Sequence, residues 1–75
     1  MKTEWARLAS NTIKVELARR GITYDTLQEK LAAIGVDETA NAINVKINRG
    51  TFSFIFFLQT MKAIGAKMVR MEDDA

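Results

Sequence analysis

Glycine stands at positions 21, 35, 50 and 65 of a chain that contains no proline. This punctuation constrains the fold more than any other feature. Gly commonly follows a helix end, where it takes the left-handed conformation without penalty, so four helices are expected. The segments between the glycines do not resemble one another, and no internal repeat is read. The first helix is expected from about Thr3 to Arg20. There Trp5, Ala9, Ile13 and Leu17 recur at four-residue steps with Leu8 beside them, a slowly drifting apolar stripe. Arg19 and Arg20 suit the negative end of its dipole. A second helix follows Thr23 or Asp25 as cap and carries Leu27, Leu31 and Ile34 on one face. The third is expected over 37–49, with Asp37 as N-cap and Ala40, Ile43 and Ile47 turned inward. The fourth starts at Thr51 or Ser53 and runs to about Ile64, with Phe54, Phe57, Leu58 and Met61 as its core face.

Residues 66–71 alternate weakly and read as a short strand or a frayed helix. A strand there has no partner within a helical monomer and would pair with its copy in a second subunit. Residues 1–71 form the expected single domain, and 72–75 an acidic tail. The fold class is all-α.

Composition removes several kinds of chemistry. With no Cys, disulfides and thiolate metal sites are excluded. With no His, the commonest general base and metal ligand is missing. No phosphate-loop pattern occurs, and Asp37-Glu38 reads as a helix-capping pair rather than a catalytic one. The expectation is a protein that is not an enzyme and needs no cofactor or metal, and no small-molecule substrate is inferred. The longest strictly apolar run is Phe54 to Leu58, far short of the roughly 20 residues of a membrane span. The first residues, MKTEWARLASNTIK, lack the continuous apolar stretch of a signal peptide. A soluble cytoplasmic protein is therefore expected. Residues 1–71 hold 11 basic and 6 acidic groups, a net +5, which permits nucleic acid without requiring it. At 75 residues only about 60% of the unfolded surface is buried. Stability then comes from a dense helical core or from a core completed by a second chain.

The third helix carries the chemistry. About 120° from its apolar stripe lies a second stripe, Asn41, Asn44, Val45 and Asn48, at i, i+3, i+4, i+7 spacing. Asn is a poor helix former that prefers caps and turns. Its amide sets a donor beside an acceptor, a pair that matches the major-groove edge of adenine. Lys46 and Arg49 flank the stripe, within reach of phosphates. The plainer alternative is a solvated face of ordinary polar residues.

The stretch from Ile13 to Gly65 resembles the lambda-repressor-like helix-turn-helix family. Ile13, Leu17, Gly21, Ile22, Leu27 and Leu31 fit the first part of its pattern in order, and Ile47-Asn48-Arg49-Gly50 fits the end of its recognition helix. The resemblance implies a lambda-repressor-like bundle of four to five helices. It also implies base contacts from Thr39, Asn41, Asn44, Val45 and Asn48, and phosphate contacts from Gln28, Lys30, Lys46 and Arg49. More narrowly, KINRGTFSFIFFLQTMKAIG together with Trp5 resembles a small bacterial domain family that shares an RG-x-FSF-x-FFLQ run and has no assigned function. Two departures stand out. AAIGVDETANA, between Leu31 and Ile43, is longer than the family's tight turn, and Gln28 replaces a small residue.

Residues 52–57, FSFIFF, hold every phenylalanine of the chain. Phe56 points roughly 150° from the middle of the expected core face and Ile55 about 100° from it. Phe52 precedes the helix and can pack on Phe56 as a staple. Either all of these are core, or some form an exposed aromatic patch for a partner. The elements after the recognition helix commonly form the dimer contact in lambda-repressor-like proteins, so a homodimer through Phe52, Ile55, Phe56 and Met68 is expected. The leading expectation for function is sequence-specific binding of double-stranded DNA by a small transcriptional regulator, read by helix 37–49. The alternative is a protein-interaction or assembly domain that uses the same fold without DNA, through helix 52–64.

Overall fold

Every helix begins at a hydroxyl. In the computed structural model, which describes residues 3–70, helices run over Glu4–Arg20 (α1), Tyr24–Ala33 (α2), Ala40–Arg49 (α3) and Phe54–Ile64 (α4). Thr3, Thr23, Thr39 and Ser53 are extended N-caps whose side-chain oxygens accept from the backbone N–H of Ala6, Thr26, Ala42 and Phe56. Each such bond satisfies one of the orphan donors of a first turn. At the other ends of α1, α2 and α4, the N–H groups of Ile22, Val36 and Ala66 donate back to the carbonyls of Leu17, Leu31 and Met61, each at 2.9 Å. The side chains of Ile22, Val36 and Ala66 then pack against the core. This is the apolar contact that accompanies a Schellman ending.

One boundary differs from the sequence expectation. The cap of α3 is Thr39, not Asp37, and the helix is shorter by two to three residues. The Thr39 hydroxyl reaches the Ala42 N–H at 3.0 Å, and Asp37 stays in the connector. That connector spans Ile34 to Thr39, six residues against the three to four of a helix-turn-helix turn.

α3 packs on α1 and α2, and α2 packs on α4. Ile13 and Leu17 of α1, Leu27 and Leu31 of α2, Ile43 and Ile47 of α3, and Phe56 and Met61 of α4 form the buried core. Gly50 ends α3 with a φ of 71° and lies so close to α1 that a Cβ there would overlap the Ala6 carbonyl oxygen and come within 2.7 Å of its carbon. Gly50 is therefore a packing device that seats the end of α3 against the start of α1.

Two helices present faces other than those expected, and Ile34, expected on the inner face of α2, lies past its end as the C-cap and is exposed. On α1 the inward line is Ala6, Ser10, Ile13 and Leu17, and Trp5 is 78% exposed. A four-residue step drifts about 40° per turn, so a stripe that is core at Leu17 has rotated outward by Trp5. On α4 Phe56 is 4% exposed and Thr60 is fully buried, while Phe54 and Leu58 are 70% and 50% exposed. The expected core face is corrected for Phe54 and Leu58, and the expected interface residue Phe56 is core within one chain. α4 is apolar nearly all round, so its pattern has no phase of its own, and polar Thr60 on the inner line disguises the true one.

Among the described residues there is no strand and no fifth helix. Residues 66–70 leave α4 without regular structure, so no strand forms up to Arg70, and Met71 and the acidic tail at 72–75 lie outside the described residues. No described helix is long and apolar enough to cross a membrane.

Candidate functional site

Two surfaces separate on the molecule, one polar and one apolar, with no residue in common. The polar one is the outer face of α3. Because Ile43 and Ile47 are drawn fully inward, Asn41, Asn44 and Val45 stand exposed and Asn48 half-exposed. Asn48 Nδ2 donates to the Asn44 carbonyl at 2.8 Å and also to Asn44 Oδ1. The two amides are thus joined, leaving the Asn44 NH2 as outward donor and Asn48 Oδ1 as outward acceptor. Asn41 and Asn44 also edge a shallow groove of about 420 Å³ against the start of α2, where Thr23, Tyr24 and Asp25 form the opposite wall.

The charges around this face are mixed. Lys46 Nζ meets Glu38 Oε2 at 2.5 Å and lies 5.0 Å from the centre of the Phe56 ring. Both partners draw it back toward the body of the protein. The cation–π contact and the partly exposed ion pair are each worth about 0.5–1 kcal/mol. Arg49, at the end of α3, makes no ion pair among the described residues, and Lys30, in the last turn of α2, is likewise exposed. Gln28 is half-buried. Thr39 is engaged as a cap. Asp25, Asp37 and Glu38 gather near the start of α3, where negative charge suits the helix dipole and disfavours an approaching phosphate.

The apolar surface is a groove of about 570 Å³ between α1 and α4. Trp5, Leu8 and Ala9 of α1 line it with Phe54 and Leu58 of α4, and Val69 adds to the lining. Beneath it Phe52 holds the entry of α4. Its ring lies 5.8 Å from that of Phe56 and stacks at 6.5 Å on that of Phe57. The expected staple therefore forms with both. Of the residues assigned to a dimer contact by sequence, Ile55 and Met68 are exposed, Phe52 is half-buried on the core, and Phe56 is buried. Sequence reasoning placed Trp5, Phe54 and Leu58 in the core and so missed the groove. The available signal was surplus: a helix that is apolar on every side exceeds what one small core can cover.

A family model described as a domain of unknown function, DUF6471, matches residues 5–69. The matched span runs from Trp5 through all four glycines. No curated protein and no solved structure matches the chain.

Proposed function

We propose, for a chain that belongs to the DUF6471 family, that it binds double-stranded DNA as a small transcriptional regulator and reads the major groove with α3. The lambda-repressor-like relation of α2 to α3 is part of the same proposal. The observation that carries it is the outer face of α3. Asn41, Asn44, Val45 and Asn48 stand in line on a helix whose opposite side is fixed by Ile43 and Ile47. The joined amides of Asn44 and Asn48 offer a donor group and an acceptor at a spacing set by the helix rather than by a single side chain. Val45 beside them suits a thymine methyl group. Arg49 and Lys30 are the cations for the backbone, with Gln28 as a polar contact, and Lys46 joins them only by leaving Glu38.

Two such cations give a modest salt dependence. With Z near two, log K falls with log salt at a slope of about −1.8 per chain, so a fourfold rise in salt weakens binding about twelvefold. Titration of duplexes selected from a random pool tests this directly. Absence of any duplex binding at low salt refutes the reading. On a selected site, Asn44→Ala costs about 1–3 kcal/mol, and an unchanged affinity removes Asn44 from the reading face.

A second reading, an assembly domain that acts without DNA through helix 52–64, is favoured by one observation. Phe54, Ile55 and Leu58 face solvent. It predicts self-association or partner binding with no salt-sensitive affinity for duplexes.

A further inference from the structure

We propose that the groove between α1 and α4 is the contact face of a homodimer, filled by the same groove of a second copy with Trp5 of each copy against α4 of the other. The proposal relocates the dimer contact from Phe52, Ile55, Phe56 and Met68 to a surface that α4 shares with α1, and it does not rest on DNA binding.

The chemistry of the wall selects the occupant. Of the side chains lining the groove, only Thr12 and the Trp5 indole N–H carry polar groups, and the Thr12 hydroxyl already donates to the Leu8 carbonyl at 2.7 Å. A nucleic acid, a polar metabolite or an extended peptide would find a single free donor, the Trp5 indole N–H, and would leave most of its own polar groups unpaired. Only an apolar surface fits.

The area matches a second copy. Trp5, Phe54, Leu58 and Val69, which line the groove, keep between 41% and 78% of their surface exposed. With large aromatic side chains at 150–250 Å² each, the patch amounts to roughly 500 Å². That is the upper end of what monomeric proteins expose, and it approaches the roughly 800 Å² per partner of a standard interface. The half-buried groove floor adds to it. The patch is also self-complementary in form, since it carries a hollow and, at its rim, the two most prominent aromatic side chains, Trp5 and Phe54. A two-fold axis brings knob to hollow twice with one set of residues.

Sedimentation of the full chain from micromolar to several hundred micromolar, without DNA, tests the proposal. The expected result is a dimer that persists in molar salt, because apolar contacts are not screened. Trp5 is the sole tryptophan, so its emission should be blue-shifted in the dimer and move red on dilution with the same midpoint. Leu58→Arg should weaken the dimer about a hundredfold, since a two-fold contact buries the charge twice, while helicity is retained because Leu58 is half exposed. If Leu58→Arg unfolds the chain, Trp5→Ser, far from the core, supplies the same comparison. A chain that stays monomeric throughout overturns the proposal, as does a dimer unaffected by both substitutions. A monomer that instead partitions onto phosphatidylcholine vesicles also overturns it and assigns the groove to lipid.

Discussion

Replacing Gly50 with alanine tests the central joint of the fold. Gly50 sits at φ 71°, where a side chain costs about 1 kcal/mol or somewhat more. The new Cβ also meets backbone, not a flexible side chain: the Ala6 carbonyl carbon would lie at 2.7 Å. Relief requires α1 and α3 to separate, and overpacking of that kind costs about 1–3 kcal/mol. The total is about 3 kcal/mol, against the roughly 4–11 kcal/mol available to a domain of this length. Gly21 and Gly65 have the same left-handed backbone, but a Cβ at either would meet nothing within 4 Å. Gly21→Ala and Gly65→Ala should therefore lose only the backbone share, about 1 kcal/mol. Urea unfolding followed by circular dichroism measures all three. With a slope of about 1 kcal/mol/M, Gly50→Ala should shift the midpoint about 2 M further than the other two. If its loss falls within about 0.5 kcal/mol of Gly21→Ala, close to the scatter of independent sites, the close approach of α3 to α1 is wrong.

Other substitutions probe the phase of α4, a buried hydroxyl and the capture of Lys46. Phe56→Ala should cost about 3–5 kcal/mol and Phe54→Ala under about 1 kcal/mol, measured at concentrations too low for association; the reverse order would restore the phase read from the sequence. The Thr60 hydroxyl is buried without a hydrogen-bond partner among the described residues, so Thr60→Val should stabilise the chain by about 1 kcal/mol. That corresponds to a rise in Tm of about 4–8 °C, and a fall in Tm on Thr60→Val means the hydroxyl is bonded. Glu38→Gln frees Lys46 and, if α3 reads DNA, should tighten duplex binding at low salt and steepen the salt slope by close to one unit. An unchanged slope removes Lys46 from the phosphate contacts.

Helix existence and ends were legible because they are written in local chemistry. A hydroxyl at the N-cap bonds an N–H three residues on, and a glycine past the end frees the chain to turn back, so Thr3, Thr23, Ser53 and the four glycines mark boundaries without reference to the rest of the molecule. Asp37 misled because two capping residues compete two positions apart, and only the path of the connector selects Thr39. The phase of α3 was legible as well, since its apolar and amide stripes are distinct and leave one way to bury Ile43 and Ile47.

Tertiary structure decided what periodicity could not. α4 offers Phe at positions all round its axis, and the face it buries follows from how its volume fits α2, with Thr60 inward. α1 buries Ser10 and Glu16, so its polar residues do not mark its outside and Trp5 does not mark its core. The capture of Lys46 by Glu38 and Phe56 joins the connector, α3 and α4, and no helical spacing rule foretells it. Short-range hydrogen bonds fix where each helix starts and stops. Which side of each is left over for a partner is a property of the whole packed volume, and so it belongs to the structure.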